Sequence, residues 1–198
     1  MGIRCAERTL LRKHLVAATA AAALVLVAIG PGAASAATAP TDATTVYAKE
    51  VKGKLKFVAP DVVFQGQELT FLAETNPKKV GPHTFSLVTK NVLPKTPNAR
   101  KNCFTPKHIC MSISKWHKFN PKTEKLGLNP VDAGPEGWST LGDNSKTGDS
   151  WFSGETKKGT SITKTVTADP ATTPTIYFLC AIHPWMQAKS TVLTAPVS

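Results

Sequence analysis

The sequence predicts an all-β chain, a β-sandwich or barrel, on three observations. Short runs rich in β-branched and aromatic residues recur along it, and several alternate apolar with polar side chains at the period of a half-buried strand. Gly, Pro, Asn and Asp separate those runs as turn formers. None of the runs has the period of an amphipathic helix.

The N-terminus stands apart. Residues 1–14 carry Arg4, Arg8, Arg12 and Lys13 against Glu7, residues 15–29 are an unbroken Ala/Val/Leu-rich run, and Ala34-Ser35-Ala36 follows Gly30 and Pro31. A basic start, an apolar centre and small residues at the end define a secretory signal peptide over 1–36. The apolar run is short of the roughly 20 residues a bilayer requires, so an uncleaved anchor is the weaker reading. Removing 36 of the 198 residues leaves 162, with 20 basic and 12 acidic side chains and a net charge near +8. With 41% hydrophobic residues overall, that length suits one domain with its own core and excludes a disordered chain.

Residues 37–44 read as a flexible leader and 45–198 as the folded domain. Strands are expected at 45–51 and 54–58, with Gly53 in the turn between them, and then at 68–74, 83–89, 160–167, 175–180 and 189–194. Between 90 and 149, Pro94, Pro97, Pro106, Pro121, Pro130 and Pro135 interrupt every long periodic segment. This stretch is a long irregular insertion. A structureless loop of that length is unusual, so short elements of its own or a function are expected.

Cys5 leaves with the signal peptide, and Cys103, Cys110 and Cys180 remain, an odd number for an exported chain. Cys103 and Cys110 are the natural disulfide, whose short loop is worth roughly 2 to 3 kcal/mol in the loop-closure account. Together with His108, Met111 and His117 they also invite reading as a zinc or second copper site. The C-x6-C spacing is wide for a zinc knuckle and the compartment is oxidising, so the disulfide is preferred, with His108 and His117 on the surface.

Cys180 is left without a partner, and it opens the segment that carries chemistry, Cys180-Ala181-Ile182-His183-Pro184-Trp185-Met186. Thiolate, imidazole and thioether leave the end of one expected strand within seven residues. Soft sulfur with imidazole nitrogen suits a copper ion that cycles between Cu(I) and Cu(II), and two His, one Cys and a weak axial Met form its electron-transfer site. The second His must come from elsewhere. The plain alternative is a turn histidine, a core methionine and a buried inert thiol.

With these residues the chain resembles the cupredoxins, the blue-copper family of plastocyanin, amicyanin and azurin. The resemblance covers about 45–89 and 150–194; Gly81-Pro82-His83-Thr84-Phe85 fits the upstream ligand position, and the Cys180-to-Met186 loop is most similar to that of amicyanin. It implies a cupredoxin-like Greek-key β-sandwich with one copper ion held by His83, Cys180, His183 and Met186, and a solvent-facing edge of His183 as the electron port. Thr84 stands where many members have Asn, and the 90–149 insertion has no counterpart. A binuclear centre would need a second cysteine in the ligand loop.

The resemblance implies a one-electron carrier, not an enzyme; a copper storage or delivery protein, or a binding module without redox duty, are the competing readings. Trp185 fits a cover over the metal, an exposed docking patch or the core. Sequence signatures of acyl hydrolases, phosphate-binding loops and zinc helices are missing. The lysine-rich surface points to an acidic redox partner or an anionic cell surface rather than to nucleic acid, in a secreted or extracytoplasmic protein, with solvated lysines as the plain explanation.

Overall fold

A computed structural model describes residues 44–120, 122–123 and 131–196. The expected signal peptide, and the leader apart from Thr44, lie outside the described residues. Among the described residues, ten strands make two sheets. β1 (Thr45–Val51), β2 (Lys54–Val58), β4 (Glu68–Ala73) and β8 (Thr160–Thr165) form the first, in the order β2-β1-β4-β8. The second contains β3 (Val62–Phe64), β5 (Thr84–Leu87), β6 (Val131–Ala133), β7 (Ser150–Phe152), β9 (Thr175–Leu179) and β10 (Gln187–Leu193), in the order β3-β10-β9-β5-β7-β6. Both sheets are mixed, because β1 runs parallel to β4 and β10 parallel to β3 while the other pairings are antiparallel.

All seven expected strands are present, within a few residues of their expected ends. β1 and β2 form a tight hairpin with Val51 opposite Lys54. Its two turn residues, Lys52 and Gly53, both have positive φ, 51° and 73°, the backbone that a two-residue hairpin requires to follow the strand twist. β3, β6 and β7 were not expected, since three residues are too few to show alternation.

The sheets bury one aromatic-rich core. Phe71 of β4 meets Phe85 of β5 edge-on at 5.6 Å and Phe178 of β9 at 6.2 Å, so the first sheet touches the second through aromatic side chains. Each such ring taken fully out of water contributes about 1.5 to 3 kcal/mol. Trp138, from the insertion, packs on Phe71 at 4.5 Å and is fully buried. The insertion is therefore part of the fold.

It has the short elements expected of it: a 3-10 turn at Lys90–Val92, α1 having preceded it at Pro77–Val80, then α2 (Pro97–Lys101) and α3 (Ile109–Trp116). Thr96 caps α2 by accepting from the Ala99 N–H at 3.1 Å, ahead of Pro97 in the first turn. The Cys103–Cys110 disulfide is formed, with Cα atoms 5.1 Å apart. With Ile109 and Ile113 of α3 it builds a second apolar cluster against Val88, Leu179 and Ala181.

One expectation is corrected here. His108 is exposed, but His117 is fully buried rather than on the surface. Its Nε2 lies 2.7 Å from Ser150 Oγ of β7, and that hydroxyl lies 2.7 Å from Ser86 Oγ of β5, so the ring pins the end of α3 to the second sheet. Lys115 and Lys118 on either side disguised this position in the sequence.

Burial holds the His117 pKa down to about 4, from about 6.5 in an unfolded chain. The folded protein thus excludes a proton that the unfolded chain binds between those values. The resulting stability is present above pH 6.5 and is lost as pH falls towards 4, by roughly 3 kcal/mol in full. Thermal unfolding of the metal-free His117→Gln variant should show a shallower loss between pH 7 and pH 4.5 than the parent, by about one bound proton. His83 and His183 titrate in both proteins and cancel in that difference. Parallel pH profiles would exclude this role.

Candidate metal centre

Two adjacent strands create the site. β5 and β9 pair antiparallel with Ser86 opposite Leu179 and Leu87 opposite Phe178. Continuing that register past the strand ends brings Thr84 level with Ala181, and there the Ala181 N–H donates to Thr84 Oγ1 at 2.8 Å. The pairing thereby sets His83, one residue before β5, beside Cys180, one residue after β9, across 97 positions of sequence.

Alternation along β9 aims the sulfur. Phe178 and Cys180 face the main core, whereas Leu179 and Ala181 face the second cluster built by the insertion. This explains the uninterrupted apolar run Phe178-Leu179-Cys180-Ala181: both faces are covered. The loop that follows is closed on itself, since Cys180 N–H donates to the Met186 carbonyl at 3.1 Å and Met186 N–H to the His183 carbonyl at 2.7 Å. Met186 is buried in the core beside Cys180.

His83, Cys180 and His183 form a buried cluster whose ligand atoms all lie within 4.8 Å of one another. His183 Nδ1 is 3.6 Å and His83 Nδ1 3.9 Å from the Cys180 sulfur. Bonds of about 2.0 Å to nitrogen and 2.3 Å to sulfur, opened to tetrahedral or trigonal angles, put such donors roughly 3.5 to 3.7 Å apart. The residues present therefore fit a metal ion.

Both rings turn their other nitrogen outward to a fixed partner. His183 Nε2 lies 2.7 Å from the Val80 carbonyl, which can only accept, so Nε2 carries the proton and Nδ1 presents its lone pair to the sulfur. His83 Nε2 lies 2.6 Å from Thr75 Oγ1, and a hydroxyl accepting there sets the same tautomer. His83 is also held through its backbone, donating to Ser153 Oγ and accepting from Ser153 N–H, both at 2.9 Å. Thr75 and Val80 were invisible to sequence reading, because a loop threonine and a carbonyl carry no spacing signature.

Burial and the neighbouring His183 hold the His83 pKa down to about 3. That of His183 is lowered by burial against the opposing pull of the Val80 carbonyl. Both rings are neutral at ordinary pH, as metal-ligating imidazoles must be. Burial pushes the Cys180 thiol up, opposed by bonds from backbone groups of Thr84, His183 and Ile182 and from the Thr84 hydroxyl. A sulfur in this setting stays a thiol unless a cation takes the place of its proton.

The solvent-facing edge expected of His183 is a correction. The residue is 6% exposed, its Nε2 is turned to Val80, and Gly81 lies against the same ring edge. Gly81 has φ 84°, backbone that other residues rarely adopt, and this turn delivers the Val80 carbonyl. Of the three placements expected for Trp185 the structure has the exposed one, 49% accessible with its ring edge-on to His183 at 5.2 Å.

In its two-sheet sandwich and its His-Cys-His cluster the chain resembles the cupredoxins. No protein-family model and no curated protein matches it. Among solved structures, auracyanin A, a blue copper protein of Chloroflexus aurantiacus, is 16% identical with a TM-score of 0.35, over 75% of this chain and 96% of that one. Auracyanin B is 13% identical with a TM-score of 0.37, over 75% and 86%. Amicyanin of Paracoccus versutus is 14% identical with a TM-score of 0.30, over 79% and 87%.

Thr84 supplies a single hydroxyl where an amide was the family's expectation, and that hydroxyl ties the ligand loop to β5. Replacing it with Val keeps the shape and leaves the buried Ala181 N–H unpaired, which costs about 1 to 3 kcal/mol. Denaturant unfolding should show Thr84→Val destabilised by that amount and Thr84→Ser close to the parent. Equal stability of all three proteins would show that the tie is not made.

Proposed function

We propose that this chain is an exported copper protein that carries single electrons, in which His83, Cys180 and His183 would hold the ion strongly and Met186 more weakly. The observation that supports this reading most is the convergence of two neutral imidazoles and one buried sulfur at ligand spacing. Soft sulfur beside imidazole selects copper over the harder cations. The Cys103–Cys110 disulfide supports an oxidising compartment, in keeping with the secretory pattern of residues 1–36.

When bound, copper would supply the Cu(I)/Cu(II) couple. The chain's own part is to keep one donor arrangement for both states. Thr75 and Val80 fix the ring orientations, Thr84 and the Met186 backbone fix the loop, and the apolar core on one side and the insertion on the other exclude water from the sulfur. Little rearrangement then accompanies gain or loss of an electron. If Met186 joined the other three in holding copper, no position would be left open for a substrate, and the role proposed is therefore a carrier and not an enzyme. Storage or delivery of Cu(I) is the competing role and has no separate observation in its favour.

Adding Cu(II) to residues 37–198 should give intense visible absorption and the narrow hyperfine splitting of a copper–thiolate site in electron paramagnetic resonance. Reduction and reoxidation should be reversible, and Cys180→Ser should abolish the colour. A colourless product with ordinary tetragonal parameters would contradict the proposal.

A further inference from the structure

The outward nitrogens of both cluster imidazoles end on the wall of one groove. Thr75, the partner of His83 Nε2, and Val80, the partner of His183 Nε2, both line an open groove of about 550 Å3. Lys49, Lys79 and Lys158 also line it, opposed by Glu50 and Glu74. None of the three lysines is in an ion pair among the described residues, where Lys164–Asp132 is the one such pair. Lys78 and Lys157, next in sequence to two of them, are exposed, and Lys56 stands cross-strand from Lys49. The groove lining thus carries three lysines against two glutamates, together with the two groups that orient the imidazoles; Lys49 Nζ also sits over the Tyr47 ring, 4.3 Å from its centroid, while Lys79 and Lys158 are exposed.

We infer that this groove docks an acidic segment of a protein partner. The proposal rests on the copper reading only for its purpose, which is to seat a redox partner against Thr75 and Val80, one hydrogen bond from each ring. Charge complementarity is its physical basis. Lysine side chains at a groove rim attract carboxylates, raise the rate of encounter and set orientation, and they act more strongly where low-dielectric walls concentrate the field. The two glutamates in the same lining disfavour a compact, highly charged anion. An extended carboxylate-bearing segment can instead reach Lys49, Lys79 and Lys158 separately. This position is an alternative to docking on the exposed indole of Trp185.

The test uses the metal-free chain 37–198 labelled with nitrogen-15, a hexaglutamate peptide as the acidic probe, and inorganic phosphate as the comparison. At low ionic strength the peptide should shift the amide signals of Thr75, Val80 and Gly159 most. The Lys79→Glu/Lys158→Glu variant should bind it at least about tenfold more weakly, whereas Lys115→Glu/Lys118→Glu, on α3 and just after it, should bind as the parent does. Both variants replace exposed side chains, and an unchanged thermal midpoint confirms that each is folded. Shifts gathered around Trp185, shifts spread evenly over the lysines, or phosphate reproducing the peptide's shifts at equal charge would each overturn the inference. Because no copper is present, a failed copper reading leaves this result standing as a binding site, and failed docking leaves the copper reading intact.

Discussion

The antiparallel pairing of β5 with β9 is the constraint on which the site depends. It carries no chemistry itself. Its register decides that a histidine at one strand's start and a cysteine at another strand's end share a volume a few ångströms across, and a shift by one residue would turn Cys180 away from the main core. The Thr84–Ala181 bond lies where that register leaves the sheet and passes into the ligand loop. Local loop geometry then has a modest task, which is to return His183 and Met186 towards a sulfur already in position.

The insertion contributes more to this than its irregular composition suggests. A ligand strand covered on one face alone would leave Leu179 and Ala181 in water and the loop end free to fray. The disulfide, Ile109 and Ile113 cover that face instead, Trp138 fills the main core, and His117 fastens the insertion to Ser150. The end of the sandwich that carries the His-Cys-His cluster is thus clamped between two apolar clusters. Stability and donor placement have a common source here.

Much of this was legible in the sequence, for identifiable reasons. The strand at 45–51 showed through its β-branched and aromatic residues, and that at 68–74 because buried side chains alternate with half-buried or exposed ones. The Cys180-to-Met186 run drew notice through its context, an unpaired cysteine in a chain with a secretory pattern, standing at the end of an expected strand with an imidazole and a thioether close behind. β7 escaped notice because Ser150, Trp151 and Phe152 are all buried and leave no alternation to read. His117 was misplaced because lysines surround it, although a polar residue bonded to a buried serine is at home in a core. The inward turn of His183 was unreadable, since it depends on a backbone carbonyl supplied from 103 positions upstream.

Protein partners, not an ion, hold His83, Cys180 and His183 in place, and a pair of crystal structures, metal-free and grown with copper, measures this most directly. The same side-chain rotamers of His83, Cys180 and His183 are expected in both, with Thr75 and Val80 still bonded to the outer ring nitrogens and shifts of these side chains within about 0.5 Å. A metal-free structure with either imidazole rotated away from Cys180, and its outer partner released, would contradict this.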